Sequence, residues 1–360
     1  MLIAARKAEI MTDFSGPPVM NLEYMNEHSF HGYVSNYTLS TSICHQPDLK
    51  GLHGALIEPC SVSSATHLFP LFGGSKLATN NEILLPAPKY WDNDPRFLAG
   101  GPNKPWGKKN NRIIWRGIAS GGRNTAVNWR AFHRHRFVAM TNATQVRQAE
   151  NWEEAPLNWA RPPSNYSVKA LDDNRLSDWL EESVDAGFIG LSCFPEEPDG
   201  ECSYTGKWFK IVPEIEMSEQ YNNKYLVDVD GNSFSGRYRA FLMSNSLPIK
   251  ATLFREWHDS RLIAWKHFVP MDNRFVDLFG IMEYFLGYRN PKSNDPSVDD
   301  VQPHDNAARK IATEGQAWAH KVLRREDIQL YTLRVLLEYA RVVDDRRDIL
   351  GFVDDLRPQI

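Results

Sequence analysis

The stretch Lys224–Met271, KYLVDVDGNSFSGRYRAFLMSNSLPIKATLFREWHDSRLIAWKHFVPM, decides the fold. Lys224–Asp230 is short, apolar and β-branched, the character of a buried strand. A turn-rich run, Gly231-Asn-Ser-Phe-Ser-Gly236, follows. Arg237–Ser244 then reads as a helix with Phe241 and Leu242 toward a core, and Leu247–Leu253 as a second strand. Strand, glycine loop, helix and strand make a βαβ unit, the building block of a parallel α/β sheet. In an open sheet of this kind ligands bind in the crevice at the carboxyl ends of the strands. The loop offers backbone N–H groups and a helix start to an anion. Arg237 and Arg239 enter the first helical turn, where the macrodipole favours acids, so gripping a phosphate is the purpose expected of them. Against this, Gly-Asn and Ser-Gly are ordinary turn formers, and arginines near helix starts are common. The spacing GxxxxG, with no Lys-Ser/Thr after Gly236, is neither a Walker loop nor a dinucleotide fingerprint.

Working outward, Arg112–Trp115 is another strand, ending in Arg116-Gly117-Ile-Ala-Ser120-Gly121-Gly122-Arg123. Two glycine loops on strand ends can face one crevice from different parts of a sheet. The alternative for Arg116 is an ion pair between strands. Trp129–Arg136 is a basic helix candidate, read as a solvated face rather than a nucleic-acid patch. Leu171–Glu182, Ala307–Leu323 and Asp327–Ala340 read as helices. The last two have apolar faces marked by Ile311, Gly315, Trp318 and Val322, and by Ile328, Tyr331, Val335 and Tyr339. Thr66–Phe72 reads as a short buried strand, and the turn-rich Lys89–Lys109 as a connection between domains.

A chain of 360 residues with 42% hydrophobic content can bury a full core and is expected to form two domains. Its net charge of −4 argues against a general nucleic-acid binder. Eleven tryptophans and thirteen tyrosines suit sugar or base stacking, and equally core packing. The four cysteines, Cys44/Cys60 and Cys193/Cys202, fall into two local pairs without CxxC spacing, so disulfides are expected before zinc. Each pair can close a loop; the acidic one between Cys193 and Cys202 is read as solvated rather than calcium-binding. His28 and His31 lack a further ligand and are read as surface or packing residues. Sequons at Asn36, Asn142 and Asn165, with an even cysteine count, lean towards a secretory-pathway lumen. Met1–Phe14 lacks the apolar run of a signal peptide or anchor.

Taken together, these blocks resemble glycosyltransferase family 90, the capsule-associated and Rumi-like protein O-glucosyltransferases. The resemblance rests on Trp115-Arg116-Gly117 with its Ser-Gly-Gly, Lys224-Tyr225-Leu226, Asp230-Gly231 with Ser235 and Arg237, Glu256-Trp257, and Trp265-Lys266-His267-Phe268-Val269-Pro270. Gly315, Trp318, Asp327, Tyr331 and Glu338-Tyr339 extend it, so that it covers roughly residues 65–340. The form WRGIASGG looks most like fungal members. The resemblance implies an α/β fold of GT-B type, two Rossmann-like domains facing a cleft. Residues 1–108 would form an acceptor-side domain, 109–335 the donor-binding domain, and 336–360 a closing helix packing back on the first.

It also implies inverting transfer of glucose or xylose from a UDP-sugar to a hydroxyl of a protein or polysaccharide, in the endoplasmic reticulum or Golgi lumen. No metal and no other cofactor is expected, so helix starts and arginines must stabilise the diphosphate. The implied donor-binding residues are Arg116, Gly117, Ser120, Gly121, Arg123, Asp230, Gly231, Ser233, Ser235, Gly236, Arg237 and Glu256. The family's base is an aspartate in an Asp-x-Pro-type motif ahead of the block matching Cys44–Pro70. Asp13 matches poorly, and Asp94-Pro95-Arg96 falls at the wrong place in the order. The expectation is a chain shortened at its N-terminus, its base unassigned and any membrane attachment lying in a segment it lacks. The rival reading is a catalytically inactive nucleotide-sugar or glycan-binding relative. A kinase or dehydrogenase would need a Walker lysine or a ribose-binding acid about 20 residues past the first glycines.

Overall fold

The structure is a computed structural model and describes residues 14, 16, 18–60, 70–92, 104–151, 158–159, 166–198, 201–291 and 300–350. At its centre is a five-stranded, wholly parallel sheet: β1 (Asn110–Ile118), β2 (Val184–Gly190), β3 (Asn223–Val229), β4 (Leu247–Ala251) and the short β5 (Val269–Pro270). From one edge the order is β2-β1-β3-β4-β5, so the winding direction reverses between β1 and β3. In a doubly wound sheet that reversal opens a crevice outside the carboxyl ends of the two strands. The strands expected from sequence at 112–115, 224–230 and 247–253 all lie in this sheet.

Parallel strands bury both faces, which is why these runs are continuously apolar rather than alternating. Ile113 and Trp115 of β1 and Tyr225, Val227 and Val229 of β3 join the larger core. Their neighbours Ile114 and Leu226 face the other way and meet Phe241, in the helix that follows β3. On the first face lie α1 (His133–Thr141), α2 (Ala143–Glu150) and α3 (Leu176–Ser183), where Trp115 meets the Phe137 and Phe188 rings edge-on at 5.6 and 5.8 Å. The other elements are α4 (Tyr238–Met243), α5 (Leu278–Leu286), α6 (Asp305–Val322) and α7 (Arg325–Val343). The helix expected over Leu171–Glu182 is split: Lys169–Asp172 and α3 are separated by Asn174, at φ +53°.

Helix α1 corrects the sequence reading most. All nine of its residues are buried, so His133-Arg-His-Arg136 is not a solvated face. Its polar side chains are hydrogen-bonding hubs inside the protein. Arg136, for example, donates to the carbonyls of Leu52 at 2.7 Å, Asn273 at 2.9 Å and Arg274 at 3.2 Å.

Residues 18–92 contribute short pairs rather than a second large sheet. Among the described residues these are Ser29–Phe30 with Tyr33–Val34, Phe72–Gly73 with Ile83–Leu84, and Lys76–Leu77 with Phe254–Arg255. This segment is bound firmly to the sheet. Asp48 pairs with buried Arg274 at 2.7 Å, and His28, fully buried, meets Asp272 at 2.7 Å. Residues 66–69 of the expected Thr66–Phe72 strand lie outside the described residues. Helix α7 runs unbroken past position 335 and packs on 72–84: Tyr331 donates to the Leu84 carbonyl at 3.1 Å, and Tyr339 meets Phe72 edge-on at 5.2 Å. Ile328, Tyr331, Val335 and Tyr339 are the inward face of α7, as their spacing predicts, while Leu330, Leu333, Leu336 and Leu337 remain exposed.

Cys193 and Cys202 are disulfide-bonded. Cys44 and Cys60, the other pair able to close a loop, are both free thiols. Among the described residues no helix is long and apolar enough to cross a membrane.

Candidate functional site

The crevice predicted by the strand order exists. A cleft of about 670 Å³ opens at the ends of β1, β2 and β3. It is lined by Arg116, Gly117, Ile118 and Ser120 from the end of β1, with Ser235, Gly236 and Arg237 from the loop after β3. Glu214–Ser218 with Gln220, and Lys89 and Phe234, also line the space. The two glycine loops found in the sequence therefore do face one crevice.

Two side chains lock the loops together. Asn232 Oδ1 accepts from the backbone N–H groups of Gly121 at 2.9 Å and Gly122 at 3.0 Å. Both glycines have φ near +124°, and a Cβ on Gly122 would overlap the carbonyls of Gly54 and Glu58, so the close approach requires glycine. The second lock is Arg134 of α1. It donates to the Asp230 carbonyl at 2.6 Å, the Ile118 carbonyl at 2.8 Å, Ser120 Oγ at 2.9 Å and the Val229 carbonyl at 3.0 Å. One guanidinium thus spans the ends of β1 and β3. Beneath it, His53 and His133 stack at 3.7 Å, and His133 Nε2 donates to the Asp230 carbonyl at 2.8 Å. Burial holds both imidazoles below their usual range, so they are neutral packing groups here.

Arg237 stands at the start of α4 beside Arg134. It donates to the Arg116 carbonyl and to Ser235 Oγ at 3.4 Å, and its guanidinium lies 5.6 Å from the Trp115 ring centre. Neither Arg134 nor Arg237 has a carboxylate in ion-pair range among the described residues. Burial disfavours the charged form of each, and the neighbouring Arg237 adds to this for Arg134, pushing it down to about 9. At neutral pH both remain cations. Two adjacent guanidinium groups, Arg134 buried and Arg237 half-buried, thus line a cleft that also holds Glu214 and Glu216, without either being neutralised by an ion pair among the described residues; a bound anion would offset the cost of holding them there.

The other expected residues divide. Gly117, Ser120, Ser235 and Gly236 line the cleft. Gly121 and Gly231 shape its loops, with Gly231 lying against Arg134. Arg116 lines the cleft too, but its guanidinium is committed to the neighbouring strand: it pairs with Asp185 at 2.6 Å and donates to the carbonyls of Asp185 and Pro213. The interstrand ion pair is what the structure shows for it. Arg123 is exposed, and its backbone N–H, not its side chain, is tied in, to the Glu58 carbonyl at 2.7 Å. Ser233 is half-buried and closes its own loop by accepting from the Gly231 N–H at 2.8 Å. Asp230 turns inward, its carboxylate accepting from Thr252 Oγ1 at 2.5 Å and the Leu253 N–H at 2.7 Å. Arg239 points away and donates to the Leu323 carbonyl at 2.8 Å.

Glu256 is also not in the cleft. It sits in a buried network with Tyr90, Lys250 at 3.8 Å and His258 at 3.4 Å, where Lys250 in turn pairs with Asp228 at 2.7 Å. Trp257 is core, packed at 5.3 Å on Tyr331. Asp13 and Asp94 lie outside the described residues.

Sequence reading passed over Arg134, Lys89, Phe234, Glu214 and Glu216. For Arg134 a signal existed: Trp129, Phe132 and Phe137 interleave the basic run, and aromatics on every side mark a buried helix. The others sit in irregular segments, and no local pattern distinguishes them.

Comparison with known proteins falls on the same region. The sequence profile of glycosyl transferase family 90 matches residues 203–349. Human protein O-glucosyltransferase 3 is 27% identical over 169 residues, covering 46% of this chain and 28% of the relative. The mouse protein of the same name is 30% identical over 168 residues, with the same coverage, and the Aedes aegypti O-glucosyltransferase rumi homolog 25% identical over 137, covering 37% of this chain and 30% of the relative. The matched stretch thus spans less than a third of each of these relatives. It contains the loop Ser233–Arg237, whereas Arg116–Arg123 and Arg134 precede the matched profile. Over residues 203–349, then, the chain is similar to glycosyl transferase family 90 and to the Rumi-like protein O-glucosyltransferases within it.

Proposed function

We propose that this protein is a glycosyltransferase whose cleft holds the diphosphate of a UDP-sugar. The observation that carries the reading is the pair Arg134, buried, and Arg237, half-buried, adjacent and without a carboxylate partner in ion-pair range among the described residues, at the switch point of a doubly wound sheet. A nucleoside diphosphate is a leaving group of high negative charge, and fixed guanidinium donors stabilise that charge as it develops. The locked glycine loops add backbone positioning, and Lys89 a further cation at the cleft. In this scheme the guanidinium groups supply the charge compensation, and no metal is required.

The transfer is read as inverting. An acceptor hydroxyl attacks the anomeric carbon, a base takes its proton, and the bond to the diphosphate breaks on the opposite side. Glucose or xylose is the proposed sugar, and a hydroxyl of a protein or polysaccharide the acceptor. The five-stranded sheet within 109–335 would be the donor half of a GT-B arrangement, with 1–108 on the acceptor side. The bonded Cys193–Cys202 pair supports an oxidising lumen as the working compartment. The sequon residues Asn36, exposed, and Asn142 both cap helices through Oδ1, which leaves Nδ2 for a glycan.

The test is calorimetric titration with UDP in the presence of chelator, with GDP and NAD as comparators. Selective UDP binding is expected. A cooperatively melting protein that ignores UDP would sink the proposal.

A further inference from the structure

The block Trp265-Lys266-His267 has no part in the cleft and shares no residue with it. It lines a second concavity, an open groove of about 800 Å³ between this turn and one face of α6. Helix and turn touch because residue 315 is glycine: a Cβ there would overlap the His267 carbonyl. That contact brings Trp318, one turn further along α6, over the His267 imidazole, ring centres 5.7 Å apart and planes 14° from parallel. Trp318 Nε1 donates to the Arg261 carbonyl at 2.6 Å, so its polar edge is satisfied while 38% of the residue stays exposed.

Trp265 is the second platform. Its φ is +63°, a left-handed conformation that is costly for a bulky residue. It is held there by Nε1 donating to the Val34 carbonyl at 2.5 Å and by its N–H donating to the Phe268 carbonyl at 2.8 Å. Around the indoles stand Lys266, Lys310 and Lys321, against one lining carboxylate, Glu314, 3.9 Å from Lys310. The groove therefore combines flat apolar faces with an excess of cations. Indole faces stack on sugar rings, and ammonium groups pair with their acidic substituents.

We propose that this groove is a binding site for an anionic carbohydrate, a saccharide chain bearing sulfate, carboxylate or phosphate groups, with Trp318 and Trp265 as platforms and the lysines as its charge partners. The site is independent of the reaction assigned to the cleft.

A heparin-derived tetrasaccharide titrated into the full chain, followed by tryptophan fluorescence, tests this, with cellotetraose and a single-stranded oligonucleotide as comparators. The heparin fragment is expected to bind, and binding should fade as salt shortens the screening length from roughly 10 Å at 0.1 M to 3 Å at 1 M. Trp318→Ala should weaken it about tenfold, whereas Trp318→Phe, which keeps a flat ring, should hold affinity within about threefold. The double change Lys310→Glu, Lys321→Glu should abolish it. Cooperative melting of each variant shows that loss of binding is not loss of fold. No binding to the folded wild type, equal affinity in Trp318→Ala, or equal or tighter binding of cellotetraose or the oligonucleotide would overturn the proposal.

Discussion

Replacing Arg237 by methionine separates the binding role of that side chain from any structural one. Methionine keeps the unbranched stem and its contact with Trp115 and Phe241 but removes the charge. In the free protein the guanidinium is half-buried beside Arg134 with no carboxylate partner among the described residues; its contacts are a backbone carbonyl and a long bond to Ser235 Oγ. Removing such a cation relieves desolvation and repulsion while losing about one hydrogen bond, so stability should change by less than about 1 kcal/mol, or rise. The liganded protein should behave oppositely. A hydrogen bond to a charged group contributes about 1.5–3 kcal/mol, so UDP affinity should fall roughly 10- to 150-fold. Urea unfolding gives the first quantity and calorimetry the second. Unchanged UDP affinity in the folded variant would refute the assignment. A loss of more than about 3 kcal/mol in the free protein would show that Arg237 is held for the fold instead.

Arg134→Met should differ, because four hydrogen bonds joining β1 and β3 vanish and three carbonyls lose a donor. A destabilisation of about 3 kcal/mol or more is expected in urea unfolding, together with lost UDP binding. His258 supplies a pH signature: burial lowers its pKa, but the carboxylates of Glu256 and Asp259 outweigh burial and hold it at about 9. A folded pKa above the unfolded value of about 6.5 adds stability, on the order of 3 kcal/mol at most, that is complete below about pH 6.5 and lost as pH rises through about 9. Subtracting the unfolding curve of His258→Asn from wild type across that window should isolate it; parallel curves would exclude it. Reducing Cys193–Cys202, which are nine residues apart, should cost about 2.5 kcal/mol by loop entropy, read as a lower melting temperature in reductant.

Much of the architecture was legible because its determinants are local. The apolar runs at 112–115, 224–230 and 247–253 are strands because they can only be satisfied by burial on both faces, and they lie in one parallel sheet. The glycine loops behind two of them could be read as facing elements, since each follows directly on a strand end. Likewise the period of Ile328, Tyr331, Val335 and Tyr339 picks out the inward face of α7. Charged residues were less readable. The same side chain serves a ligand, a partner strand or a buried network, depending on what the chain brings to it from far away.

Sequence alone therefore determined the α/β class, the loops that frame the cleft and the closing helices, since propensity and periodicity act over a few residues. Only the tertiary structure decided which cations the cleft keeps. Asp185, 69 positions along the chain, neutralises Arg116, while no carboxylate among the described residues reaches Arg134 or Arg237. Whether a buried charge is paired depends on the whole path of the chain, and that pairing separates a structural arginine from one poised for an anion.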